Sequence, residues 1–229
     1  MYTTYHVQNL ENVRADIKNQ ETKKKNYSRK IQGTKVKEDR IKMNLIFNFE
    51  NKLFLINNVL PSNLYKLMYT DFIKSRNKIS FEKSIVEWRT YKEELDNMST
   101  SFAQEDTSIL LNYLNKYHII LKHNPFVNFL NSEFESHLRL TKYNQHLAWH
   151  DDKDDNFNDR TYAVTYYFNK TWGESWGGEL MFKDELGSGF IPVIGNSMCI
   201  IKAGLRHKVN SVLKKTHPRF SIQTWVNDK

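Results

Sequence analysis

Arg219-Phe220-Ser221-Ile222-Gln223-Thr224-Trp225-Val226 alternates two kinds of side chain. Successive side chains of an extended chain point to opposite faces, so Phe220, Ile222, Thr224 and Val226 share one side and Arg219, Ser221, Gln223 and Trp225 the other. The first face suits a hydrophobic core. The second begins with an arginine, which is costly to bury unless an anion meets it. This pattern predicts a strand with core on one side and a polar, anion-seeking interior on the other.

The residues before it have the same texture. From about residue 134 the chain breaks into short β-branched and aromatic runs separated by Gly, Asn and Asp clusters. The runs 134–143, 161–168, 178–183, 197–202, 207–212 and 219–226 read as strands without helices between them. That order predicts an antiparallel sandwich or jelly roll, mainly β with flanking helices and a double-stranded β-helix core. Further upstream, 52–56 is strand-like, and Pro61-Ser62 opens a helix with Ser62 as its N-cap. Leu64, Leu67, Met68 and Phe72 follow at helical spacing. A second helix is expected within 102–118, carried by Ile109, Leu110, Tyr113, Leu114 and Tyr117. Both helices are expected to pack outside one sheet. The organisation is then a basic extension over 1–45 and one domain over 46–229, with helical support at 60–118 and the jelly-roll core at 134–229.

Hydrophobic residues make up 39% of the 229, aromatics 14%, enough for a packed core. The net charge of +8 is uneven: eleven basic against five acidic residues put 1–45 at +6 and leave +2 for the rest. This arm lacks the regularly interleaved aromatics that stack on bases, so direct nucleic-acid binding is not expected beyond weak phosphate contacts of the arm itself. No run approaches the roughly 18 apolar residues of a membrane span. The start, Met1-Tyr2-Thr3-Thr4-Tyr5, has no apolar signal stretch, and a lone cysteine, Cys199, forms no internal disulfide; both read as a cytoplasmic protein.

His150-Asp151-Asp152 follows one candidate strand and His207 opens another. In an extended segment His150 and Asp152 point to the same side, and a histidine from a neighbouring strand completes one face of an octahedron. Two histidines and one carboxylate are the facial set that holds non-haem Fe(II) and leaves positions open. Asp151 points away. Arg219, twelve residues after His207, offers a bidentate partner for a carboxylate. His118, His123, His137, His146 and His217 are not read as ligands. Cys199 reads as a buried packing residue, and Gly177-Gly178 as backbone geometry.

Taken together, several stretches resemble the prolyl-hydroxylase branch of the Fe(II)/2-oxoglutarate-dependent oxygenases, which includes the oxygen-sensing and ribosomal-protein prolyl hydroxylases. They are Leu147-Ala148-Trp149-His150-Asp151-Asp152, Arg160 to Asn169, Trp176-Gly177-Gly178-Glu179-Leu180, Gly195-Asn196, His207, and Arg219 with Trp225 six residues on. The resemblance covers 134–229 in detail and the helix entry Leu55 to Pro61 loosely. It implies that His150, Asp152 and His207 ligate iron and that Arg219 pairs with the distal carboxylate of 2-oxoglutarate, helped by Tyr167. It further implies that Tyr143 reaches the co-substrate, Trp225 walls the pocket near the metal, and Arg160 contacts a peptide substrate. The implied cofactor is Fe(II), with 2-oxoglutarate and O2 as co-substrates and ascorbate as a reductant. The implied reaction is hydroxylation of an unactivated C–H, first of all in a prolyl residue of a protein or peptide. A free amino acid or other small-molecule substrate is the enzymatic alternative, and a non-catalytic jelly-roll binding module the other.

Overall fold

The computed structural model describes residues 43–75, 81–84, 100–103, 108–153 and 160–228. Their elements run β1 (Asn44–Phe49), β2 (Leu53–Asn57), α1 (Ser62–Ser75), β3 (Phe81–Ser84), β4 (Thr100–Ala103), α2 (Ser108–Lys122) and β5 (Glu133–Thr141). They continue with β6 (Leu147–His150), β7 (Arg160–Tyr167), β8 (Leu180–Asp184), β9 (Gly187–Ile191), β10 (Ser197–Lys202), β11 (Arg206–Val209) and β12 (Arg219–Asn227). Eight strands form one sheet in the order β1-β2-β10-β7-β12-β5-β4-β3, and four form another in the order β6-β11-β8-β9. Every strand pairing is antiparallel. This is the jelly-roll architecture expected from the strand pattern.

The period-two alternation sorts side chains between two cores. Phe54 and Ile56 of β2, Val164 and Tyr166 of β7, Met198 and Ile200 of β10, and Phe220, Ile222 and Val226 of β12 all join one cluster. Met68 and Phe72 of α1 and Tyr117, Ile120 and Leu121 of α2 belong to the same cluster, so both helices pack on that face of the large sheet. The intervening residues enter a second cluster between the sheets: Leu53, Leu55, Tyr167, Cys199 and Ile201 meet Leu180 and Phe182 of β8. Cys199 is fully buried there. Where β5, β7 and β12 run side by side, the inward positions turn polar, and the site lies there.

Several boundaries differ from the expectation. The second helix occupies Ser108–Lys122 rather than 102–118, because Thr100–Ala103 is instead a strand between β5 and β3 in the large sheet. Leu67 is 55% exposed, so the buried stripe of α1 rests on Met68 and Phe72. The Pro61 carbonyl, rather than the Ser62 hydroxyl, accepts the first-turn N–H, from Tyr65. The first described strand starts at Asn44, ahead of the boundary read from composition. Residues 1–42 of the basic extension and residues 154–159 lie outside the described residues.

Candidate metal centre and its cavity

β6 and β11 are neighbours in the small sheet, and their register places His207 directly opposite His150. The two imidazoles stand 4.2 Å apart between ring centroids. Asp152 follows the end of β6, and its carboxylate lies 3.9 Å from His150 Nε2 and 3.3 Å from His207 Nε2. One donor atom from each of the three residues falls within 4.8 Å of the others. The sequence reading named these three; the fold brings them together. Asp151, by contrast, uses its Oδ1 to accept the backbone N–H of Lys153.

The tautomers suit a metal. His150 Nδ1 lies 2.8 Å from the carbonyl of Ala148, and His207 Nδ1 lies 2.9 Å from that of Leu205. A carbonyl only accepts, so each Nδ1 carries a proton and each Nε2 is the ring nitrogen turned to the cluster. Burial, together with neighbouring His207, pushes His150 down to about 4, so its ring is neutral at ordinary pH. Burial also works against a charge on Asp152, but His207 outweighs it and holds the carboxyl below the usual range. The same pair seen from His207 runs the other way: burial lowers it, and Asp152 more than restores it. Asp152 Oδ2 ends buried without a hydrogen bond. One imidazole nitrogen each from His150 and His207 and an ionised carboxylate with an unspent oxygen are the donors a divalent iron takes.

The cavity beneath them is floored by the large sheet. Arg139 and Thr141 come from β5, Thr165 from β7, and Arg219 and Gln223 from β12, while Leu147, Leu180 and Val209 supply apolar walls. Arg219 is 3% exposed. Its Nη1 donates to Ser221 Oγ at 3.4 Å, and its Nε and Nη2 are buried without a hydrogen-bond partner. Its guanidinium lies 5.1 Å from the ring centre of Tyr167, whose phenol burial holds in the neutral form. Two unsatisfied donors on a buried cation form a fork shaped for a carboxylate. Trp225, 8% exposed, donates its indole N–H to Asp152 Oδ1 at 3.4 Å. Arg160, equally buried, stacks on that indole with 4.6 Å from guanidinium to ring centre.

Tyr143 is the most exposed of the residues expected at the site. It is 46% exposed and does not line the cavity. β5 ends at Thr141, and the chain turns through Asn144 at φ 62, with Gln145 N–H donating to the Lys142 carbonyl. The regular alternation of Arg139 and Thr141 therefore ends before Tyr143, which makes an isolated bridge with Val212. Arg139, which the sequence reading passed over, lines the cavity instead. Its signal was available: Leu138 and Leu140 alternate with Arg139 and Thr141 just as the apolar and polar residues of β12 do.

Residues 136–227 match the model of the 2OG-Fe(II) oxygenase superfamily. No curated protein matches the chain. Among solved structures, the fold is similar to a prolyl hydroxylase of Trichoplax adhaerens in complex with a hypoxia inducible factor oxygen degradation domain peptide fragment, with TM-score 0.60 and 17% identity over 78% of this chain and 84% of that one. It is also similar to a prolyl-4-hydroxylase of Pseudomonas putida, with TM-score 0.57 and 16% identity over 78% of this chain and 93% of that one. A third similar structure is SnoN, a non-heme alpha ketoglutarate dependent epimerase from nogalamycin biosynthesis, with TM-score 0.53 and 8% identity over 77% of this chain and 78% of that one.

Proposed function

From the match of residues 136–227 to the 2OG-Fe(II) oxygenase superfamily model, we propose that this chain is an Fe(II)- and 2-oxoglutarate-dependent dioxygenase that hydroxylates an unactivated C–H, in a prolyl residue of a protein or peptide. The observation that carries the reading is the convergence of His150, Asp152 and His207 within 4.8 Å beside the unsatisfied fork of Arg219. Similarity of fold to two prolyl hydroxylases, one of them with a peptide, supports the prolyl substrate.

In this reading His150, Asp152 and His207 hold the iron, and the buried Arg219 takes the distal carboxylate of 2-oxoglutarate. When bound, iron with 2-oxoglutarate and O2 supplies the oxidation of the C–H, while the co-substrate leaves as succinate and CO2. The chain's own residues do the rest by position. The Ala148 and Leu205 carbonyls fix the two imidazoles by their Nδ1 protons. Trp225 fixes Asp152 through its indole N–H. Tyr167 lies against the Arg219 guanidinium in a buried contact that orients it. Leu147, Leu180 and Val209 line the cavity and limit water around the reacting groups.

The test is 2-oxoglutarate turnover with Fe(II), followed as succinate release over a panel of proline-containing peptides and free amino acids. The expected outcome is release stimulated by a proline peptide in the wild type and lost at least a hundredfold in Asp152→Ala. Full turnover in that variant would discard the ligand assignment. Stimulation by free amino acids alone would replace the peptide substrate with a small molecule.

A further inference from the structure

Arg139 stands on the cavity floor one strand away from Arg219. The β5–β12 register sets Arg139 opposite Ser221 and Arg219 opposite Thr141, so the two guanidiniums rise from neighbouring strands into one cavity. They have different aromatic neighbours. Arg219 lies against Tyr167, while Arg139 lies 5.3 Å from the ring centre of Trp225, the residue whose N–H holds Asp152. Arg160 lies close to the same indole, at 4.6 Å. Trp225, whose N–H donates to a metal-ligand candidate, therefore has two guanidiniums close to its ring.

Arg139 is 9% exposed. Its charged neighbours are Asp152, which favours the cation, and Arg219 and Arg160, which repel it, and burial pushes it down to about 10. Concentrating three guanidiniums raises the positive potential of the cavity, and an arriving anion relieves that repulsion. Arg219 is positioned for one carboxylate of the co-substrate. Arg139 offers a second planar guanidinium in the same cavity, close to Trp225 and to the Asp152 charge, the chemistry that pairs with another carboxylate.

We propose that Arg139 is a specificity-determining residue that binds a carboxylate of the oxidised substrate, held beside Trp225, so that the substrate is an anion at the point of reaction. The carboxylate comes either from an acidic side chain next to the reacting residue or from the α-carboxylate of a free amino acid. This rests on the oxygenase reading above and names the substrate class of that same cavity.

The experiment uses the full-length protein loaded with Mn(II), which keeps the site filled without turnover. Calorimetry first measures 2-oxoglutarate binding to the wild type, Arg139→Gln, Arg139→Lys and Arg219→Gln. With 2-oxoglutarate saturating, matched pairs are then titrated: proline peptides flanked by Asp or Glu against the same peptides with Asn or Gln, and free proline and glutamate against their carboxamides. The expected result is that the acid member of a pair binds at least tenfold tighter than its amide. Arg139→Gln abolishes that preference, and Arg139→Lys keeps part of it while losing the fork geometry. The co-substrate affinity drops tenfold or more in Arg219→Gln and stays within threefold in Arg139→Gln. A preference among peptides assigns the carboxylate to a flanking side chain; a preference among free amino acids assigns it to the backbone. Acid and amide members binding alike, no member binding at millimolar concentration, or an Arg139→Gln loss that falls on 2-oxoglutarate instead, overturns the proposal. Failure of the wild type to bind 2-oxoglutarate at all would overturn the oxygenase reading itself, a separate outcome.

Discussion

Asp152 accepts from Trp225 through Oδ1 and leaves Oδ2 beside His207, so the two oxygens of one carboxylate have separate duties. The same economy governs Gly178, which holds φ 76 in the loop ahead of β8. A Cβ there would meet Arg219 Cδ at 3.2 Å, Trp172 Cζ2 at 3.2 Å and Val212 Cγ2 at 3.4 Å. The bare Cα is what lets the arginine stem lie flat beneath the loop. Gly178→Ala is expected to cost about 1–3 kcal/mol of stability from the left-handed backbone and the crowding. It should also weaken 2-oxoglutarate binding several-fold by displacing the guanidinium. Urea denaturation and calorimetry check the two effects; unchanged co-substrate affinity would show that Arg219 is not held by this packing.

Asn196 ties three elements at one point. Its Oδ1 accepts the Leu60 N–H at 2.9 Å and the Tyr166 hydroxyl at 3.0 Å, and its Nδ2 donates to the Leu60 carbonyl at 2.9 Å. It stands at φ 56, just before β10, and so joins the entry of α1 to the end of β7. Asn tolerates the left-handed region better than other non-glycine residues, and its amide offers the donor and acceptor that Leu60 needs. Asn196→Ala should cost about 2–4 kcal/mol, since it strands a buried hydroxyl and two backbone groups together. The denaturation midpoint should fall with an unchanged slope. A loss below about 1 kcal/mol would mean that water replaces the amide. The elements around this joint were unequally legible in sequence. β7, β10 and β12 carry long period-two runs with a continuous apolar side, so their strands were plain. β9, Gly187-Ser188-Gly189-Phe190-Ile191, is too rich in glycine to read as anything but a turn. β4 has only four residues and takes its conformation from β5 beside it, which is why the helix expected there begins at Ser108.

For the molecule as a whole, the site was readable because each of its parts is a local pattern: His-x-Asp, a later histidine, and an arginine on the polar side of an alternating strand. What was not readable is how those patterns meet. The alternation of β5 puts Arg139 on its polar side, but only the register, which sets it opposite Ser221, brings it beside Arg219, and β5 ends at Thr141, two residues before Tyr143. The fold also explains the arrangement economically. The large sheet gives its outer face to the helices and its inner face to the cavity. The small sheet, through β6 and β11, contributes both histidines. Ligand binding to such a site stabilises the folded state by mass action, about 2.7 kcal/mol at a hundredfold excess over Kd.

The most direct test adds Fe(II) and then 2-oxoglutarate to the full-length protein without oxygen and follows visible absorption. A charge-transfer band should appear only when both are present, saturating at one of each per chain. It should vanish in His207→Ala and need at least tenfold more 2-oxoglutarate in Arg219→Gln. A colourless wild type, or a band that survives unchanged in His207→Ala, would contradict the assignment of the iron to His150, Asp152 and His207.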